Sequence, residues 1–598
     1  MDRKDGTMAK ERYKSLWDLT RDQRGRYSAS IAALLIAIGM SLLVPLATRS
    51  AIDEIVLGGA SPWWLLIAGA VIVLFSLSSA LCMYAKGRWV AEASHGVAKQ
   101  ARERLFDHLQ HLPCTYFDRA DTGDLVQRCT SDVDTLRIFL TTQLVQIGRA
   151  VLMLVILVPL LAFLDLRMTA LSLAVIPFII VFSTWFFRRV KTLFAKADAS
   201  EGAMTSVLQE NLTGIRVARA FGRQGFEIAR FGEHAAAYRD DSFAVSRLKA
   251  RYWGLSDLLC MTQVGVVLLG GAAWVFDGSL TVGTYFAFVS YINMLVWPIR
   301  QLGQILTELG KAVVAMGRIE EILEVSRESN DGDPIVAPKQ PGRIAVRNLS
   351  FAHADGTRAL TDVSFCVEPA ETLAIVGPPG AGKSTLMHLL VRLYDFTEGA
   401  IELDGRDLSR IERTAVRSRI CAALQDPFLF SRTVGENVKI GRDDASATEV
   451  VDAAETACVH DSIESFEQGY DTMVGERGVT LSGGQRQRIS LSRAILADPD
   501  VLILDDTLSA VDSKTEGRIR SAMSARHGRR TTLIIAHRLS TLAHADRILV
   551  LTEGRVREHG THAELVNRGG PYARLWKLQS TFESELAADM VPGRGEGS

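Results

Sequence analysis

The stretch ETLAIVGPPGAGKSTLMHLLVRLY, residues 371–394, decides how this chain is read. Its first six residues, Glu371–Val376, are an apolar run of strand length. Gly377-Pro-Pro-Gly-Ala-Gly-Lys-Ser-Thr385 then matches the spacing GxxxxGK[ST], and an apolar helical stretch follows. In such a loop the glycines let the backbone curl until successive N–H groups face one phosphate, and the helix N-terminus adds its dipole. The nine residues Gly377, Pro378, Pro379, Gly380, Ala381, Gly382, Lys383, Ser384 and Thr385 are therefore the expected nucleotide loop. Lys383 supplies a point charge for the β- and γ-phosphates and Ser384 a hydroxyl for Mg²⁺.

Working outward, Val501–Leu504 (VLIL) is a second buried strand, and it ends in Asp505 and Asp506. A carboxylate at the C-terminal end of such a strand stands where α/β sheets place ligand chemistry. Asp505 can enter the oxygen shell that Mg²⁺ prefers. Arg343–Leu349 and Thr532–Ile535 add further strands between helical stretches, so residues 343–580 are expected to be an α/β domain with a mostly parallel sheet. Upstream, Val325–Gly342 is polar and proline-bearing and reads as a linker.

The N-terminal half is of another kind. A chain of 598 residues exceeds what one core supports. A mean hydropathy of +0.13 in a chain that is 23% charged implies a lipid-soluble part joined to a polar one. A bilayer span needs about 20 apolar residues. Six runs qualify or nearly so: Ser28–Ala47, Trp63–Met83, Ala150–Leu164 (short, so starting earlier), Met168–Phe187, Leu255–Phe276 and Val282–Leu306. The transmembrane domain is thus expected over 28–324. The loops Arg49–Pro62 and Asp277–Thr281 are poor in Lys and Arg, whereas Lys86–Arg149 and Arg188–Arg251 are rich in both. The positive-inside rule makes the two long segments and both termini cytoplasmic. As helix pairs these segments would reach about 40 Å beyond the membrane. Residues 1–27 form a charged segment without a signal-peptide pattern, and 581–598 read as disordered. The net charge of −1 gives no pull toward nucleic acid, and the seven scattered cysteines show neither metal spacing nor a disulfide framework.

Further motifs make the chain resemble the ABC transporter superfamily outright. Leu481, Ser482, Gly483, Gly484 and Gln485 spell the family's LSGGQ signature ahead of VLILDD. Gln425 in LQDPFLF resembles the Q-loop glutamine, a Mg²⁺ ligand, and His537 in IIAHRLS resembles the switch histidine at the γ-phosphate. Val474–Gly478 and Ser509–Asp512 resemble the segment before the signature and the D-loop. TYFDRADTGDLVQRCTSDVD and ENLTGIRVARAFGRQ resemble the two coupling regions of ABC exporters. The resemblance covers about residues 30–580. It implies a six-helix exporter-type transmembrane domain fused to an α/β P-loop nucleotide-binding domain, with ATP and Mg²⁺ as ligands and a cytoplasmic-membrane location. It also implies a dimer in which each ATP meets the P-loop of one chain and the LSGGQ of the other. The metal set would be Ser384, Gln425 and Asp505, and the catalytic set Asp506, His537 and Gln425.

Three positions depart from the family pattern. Asp506 stands where hydrolytic members carry glutamate, His353 where an adenine-stacking tyrosine is usual, and Pro379 where Ser or Thr is commoner. The shorter Asp506 draws its carboxylate back by about 1.5 Å, one C–C bond. The expected protein is therefore the slow-site half of a heterodimeric exporter of small amphipathic molecules, a homodimer being the alternative. A lipid or peptide translocator, an importer with this fold and an ATP-binding regulatory subunit are the rival readings. Trp185, Trp253, Trp274, Trp297, Phe286 and Phe288 are candidates to line a cavity, with packing or interfacial anchoring as the commoner use of such residues.

Overall fold

A computed structural model describes residues 20–56, 61–333, 338, 341–396, 398–475, 478, 480–507, 511, 513–527, 530–536, 542–578 and 580. The segments 1–19 and 581–598, together with His537, Ser509, Ala510 and Asp512, lie outside them. The chain divides into two compact units: residues up to Leu112 with Ala120–Ser326, and Pro113–Arg119 with Arg327 onward.

The first unit is built from long helices: α1 (Arg24–Val56), α2 (Pro62–Gln110), α3 (Thr122–Leu164), α4 (Leu166–Leu173 and Ile176–Thr213), α5 (Gln224–Phe276) and α6 (Val282–Leu323). Among the described residues the first five are long and apolar enough to cross a membrane, and α6 opens with the apolar stretch Val282–Val296. Side chains that serve as caps set their starts. Ser61 Oγ accepts from Trp64 N at 3.2 Å, and Thr281 Oγ1 from Thr284 N at 3.2 Å. Asp165 Oδ1 accepts from Met168 N at 2.8 Å, which makes the turn between α3 and α4 as tight as its sequence demands. Leu157, Leu161, Met168, Phe288 and Tyr291 are fully buried where α3, α4 and α6 meet. Tyr291 satisfies its hydroxyl by donating to Leu42 O at 2.7 Å.

Two features differ from the expectation. The fourth span, expected unbroken over Met168–Phe187, is interrupted at Ala174–Val175. Pro177 has no N–H to continue the ladder. Gln263 of α5 fills the break: its Nε2 donates to Ser172 O (2.7 Å) and Leu171 O (3.1 Å), while Val175 N donates to its Oε1 (3.2 Å). The third helix begins at Thr122 and contains two π-helical turns, Arg128–Asp132 and Phe139–Gln143. Beyond the apolar spans the stalks are helical as expected. α5 alone has 53 residues, about 80 Å at 1.5 Å each. Gly222, at φ +62°, turns the chain from α4 back into α5, and Lys196–Asp241 (2.7 Å) and Arg230–Glu210 (2.9 Å) pair the two.

The second unit holds two sheets. Strands β1 (Ile344–Ala352), β2 (Arg358–Val367), β4 (Glu398–Leu403) and β5 (Arg406–Asp407) form an antiparallel sheet in the order β2-β1-β4-β5. Strands β3 (Thr372–Val376), β6 (Ile420–Ala423), β7 (Val501–Asp505), β8 (Thr531–Ile535), β9 (Arg547–Thr552) and β10 (Arg555–Gly560) form the second, ordered β10-β9-β3-β8-β7-β6. There all neighbours run parallel except the edge pair β9–β10. Both faces of its centre are covered, so β7 is buried at all five positions and β3 at its last four. The parallel sheet matches the reading of apolar runs; the antiparallel one was legible only through β1.

Candidate active site

The parallel sheet brings the separated motifs to one edge. β3 and β7 lie on either side of β8 and run parallel to it, so the loop after Val376 and the carboxylate at Asp505 leave the same end of the sheet. Gly377 leads out of β3 against the backbone of β9. A Cβ there would lie 2.0 Å from Leu551 O, so only glycine fits. Gly380 and Gly382 take φ of +78° and +90°, the left-handed region glycine occupies without strain. Gly382 is the N-cap of α7 (Lys383–Leu390). Lys383, 8% exposed, folds its Nζ back onto Gly377 O (2.7 Å) and Pro378 O (2.9 Å). Burial pulls its pKa down, while Asp505 and Asp506 pull it up. An ammonium held by neutral carbonyls in a half-closed loop gains most from an anion brought to it.

The Ser384 hydroxyl stands near enough to the Asp505 carboxylate to favour its charged form, so the two offer an all-oxygen donor set that suits Mg²⁺. Asp505 is 4% exposed, and burial pushes its pKa up, with Ser384 as the largest opposing influence. Asp506 follows at φ +48°, its N–H on Ile535 O at 3.1 Å. Its side chain is half-exposed, beside Asp505 and Lys383. Gln425 is exposed two residues past the end of β6, where Ala423 pairs with Leu504 of β7. His353 sits in the β1–β2 turn with Nε2 3.4 Å from Thr385 Oγ1 and its ring edge-on to Phe351. His537, assigned to the segment after β8, lies outside the described residues.

The signature stands apart from this cluster in its own setting. Ser482 caps α8 (Gly483–Leu496): its Oγ accepts from Gln485 N, and Gln485 Oε1 accepts from Ser482 N at 2.8 Å. Leu481 is buried as an anchor, while Ser482 and Gly483 are exposed. A Cβ on Gly483 would meet nothing within 4 Å. Among the described residues nothing requires a glycine there.

Sequence reasoning missed a third group. Tyr394 donates to Asp118 Oδ1 at 3.0 Å, and Arg119 donates to Ala354 O at 2.5 Å, beside His353. Burial first, and then Asp118, pushes the Tyr394 phenol up to about 12. His388, between Asp505 and Asp118, has its pKa lowered by burial. The coupling phrase contained Asp118 and Arg119, and their contacts with residues far along the sequence gave no local signal.

The buried Asp505 carries a stability consequence. Its folded pKa lies above the usual 3.8, so between that value and its raised one the native state holds the proton more than the unfolded state does. Stability contributed by this group therefore falls as pH rises through that window. Asp505→Asn should raise the apparent Tm of the nucleotide-free protein at pH 7 in scanning fluorimetry, and the gain should vanish below about pH 3, where the carboxyl is neutral in both the folded and the unfolded state. An equal gain at both pH values would contradict this.

Comparison with known proteins agrees with the two-part architecture. Residues 27–299 match the family model for the ABC transporter transmembrane region, and residues 360–509 match that for the ABC transporter. An uncharacterized ABC transporter ATP-binding protein of Bacillus subtilis is 36% identical over 92% of this chain and 94% of its own length. A putative multidrug export ATP-binding/permease protein of the same organism is 34% identical, covering 91% of this chain and 95% of that protein. An ATP-dependent lipid A-core flippase of Syntrophus aciditrophicus is 30% identical over 99% of this chain and 98% of its own. The structure of a bacterial Atm1-family ABC exporter with ATP bound superposes with a TM-score of 0.83 at 29% identity, covering 93% of this chain and 99% of that one. With both regions matched in order on one polypeptide, the chain belongs to the ABC transporter family and is an integral membrane exporter homologue with an ATP-binding domain.

Proposed function

We propose that this chain is one half of a dimeric ATP-driven exporter of small amphipathic molecules, and that its own ATP site binds tightly and cleaves slowly. The observation that carries the reading is Asp506 at the exit of β7, directly after the buried Asp505. Lys383 and the loop Gly377–Thr385 take the phosphates, and His353 faces the base. Ser384, Asp505 and Gln425 would hold Mg²⁺, which when bound would offset phosphate charge. Asp506 is the group placed to orient the attacking water, with His537 at the γ-phosphate. A carboxylate withdrawn by about one bond misplaces that water, and misplacement near 1 Å can cost around 10²-fold in rate.

The exposed Ser482 and Gly483 at the start of α8 suit the ATP of a second chain. ATP then favours the closed pair, and loss of its γ-phosphate removes that preference. The long helices carry closure to the spans. The membrane is the cytoplasmic one, with both termini and the nucleotide-binding domain in the cytoplasm. The partner is a different half-transporter that carries the missing glutamate. Lipid translocation is the second reading, favoured by the full-length similarity to a lipid A-core flippase.

The test is turnover of the purified chain alone against turnover with its partner. Slow hydrolysis alone, restored by the partner, is expected. Vigorous hydrolysis alone that Asp506→Ala abolishes would overturn the slow-site assignment.

A further inference from the structure

Phe178, Val181, Phe182 and Trp185 recur at i, i+3, i+4 and i+7 on the second segment of α4 and share one face. With Pro177 they border a shallow, open depression of about 660 Å³ on this one helix. Phe178 (69%), Val181 (70%) and Trp185 (57%) are largely exposed. A lipid-facing helix shows such exposure too, and competition between a ligand and lipid tells the two apart.

Trp185 stacks on Phe182 at 6.0 Å and 21°, and Phe182 on Tyr252 of α5 at 5.4 Å and 10°. Tyr252 stacks in turn on Phe186 at 4.0 Å and 21°. Tyr252 is buried, and its hydroxyl lies 3.0 Å from Ser183 Oγ, which fixes the orientation of its ring. Four rings thus form a near-parallel series, pinned at the inner end and open at Trp185. A series of that kind accepts one more flat ring at little cost in side-chain ordering. Three and four residues beyond Trp185, on the same face, stand Arg188 and Arg189. Both are exposed, and neither has a carboxylate partner among the described residues. Of the other aromatics that sequence reading marked, Phe288 is fully buried and takes no part, and the side chain of Trp297 is outside the description.

We propose that this open ring series, with Arg188 and Arg189 at its end, is a recognition site for planar aromatic molecules that carry an acidic group. The inference rests on the transport reading and names the substrate class for it. The rings take the flat body and the guanidinium groups take the anion. Arginine is the residue suited to both, since it pairs with acids and tolerates aromatic neighbours.

The test uses the full-length chain in lipid nanodiscs without nucleotide, with 1-pyrenesulfonate followed by fluorescence anisotropy. The sulfonate should bind about tenfold more tightly than 1-pyrenyltrimethylammonium or decanesulfonate. Trp185→Ala should weaken it about tenfold, whereas Trp185→Phe, which keeps a ring, should stay within about threefold. Changing both Arg188→Gln and Arg189→Gln should erase the preference for the anion over the cation. Lys383→Ala should leave probe binding intact, so a failure of the ATP-driven reading would show in vesicle transport and not here. Unchanged binding in Trp185→Ala would overturn the proposal. So would equal affinity for the cation and the anion in the unaltered protein. Displacement of the probe by phosphatidylglycerol would assign the face to lipid, and loss of binding when the partner chain joins would assign it to the subunit interface; either result overturns the proposal as well.

Discussion

Asp506→Glu is expected to raise ATP turnover at this chain's own site by around 10²-fold. Asp506 leaves β7 in a left-handed backbone (φ +48°) that is fixed by its N–H on Ile535 O, so the side chain cannot advance by moving the strand. The added methylene carries the carboxylate forward by about 1.5 Å, the order of displacement for which catalysis pays around 10²-fold. Within this chain, Ser384 stands at Asp505, and Lys383 is beside both acids. Single-turnover hydrolysis in the assembled pump, with the partner's own site disabled, checks the gain. Asp506→Ala should change the already slow rate by much less. If the Glu variant is no faster, position 506 is not what limits this site.

Lys383→Ala is expected to weaken nucleotide binding by roughly ten- to a hundredfold, the worth of about 1.5–3 kcal/mol for hydrogen bonds to a charged group. The ammonium rests on two backbone carbonyls, Gly377 O and Pro378 O, and burial makes its charge costly. A phosphate would relieve that cost, and alanine has nothing to offer in its place. Lys383→Arg should not rescue, because a planar guanidinium is bulkier than the compact ammonium of a side chain that is itself only 8% exposed. Titration with a fluorescent ATP analogue reads the effect, and retained affinity in the alanine variant would contradict it.

Much of this was written locally in the chain. The glycines of the loop after β3 are dictated by a Cβ clash at Gly377 and by positive φ at Gly380 and Gly382, so spacing alone located it. β7 was equally plain, being apolar at four positions and ending in acid. What stayed hidden depends on partners distant in sequence. The break in α4 could be suspected from Pro177, but its repair by Gln263 joins residues about 90 apart. The antiparallel sheet pairs short, mixed-polarity strands such as Glu398–Leu403, which carry little periodic signal of their own. The contacts of Tyr394 with Asp118 and of Arg119 with Ala354 span more than 230 residues. The ring series on α4 and α5 was visible only as scattered aromatics until Tyr252 was found between Phe182 and Phe186.

The most direct measurement is ATP-driven uptake into inside-out membrane vesicles that contain this chain and its partner, compared between the unaltered protein and Lys383→Ala. Accumulation that needs ATP and collapses in the variant is the predicted result. Equal accumulation in both, with nucleotide affinity also unchanged, would show that ATP gripped by Lys383 does not drive this protein.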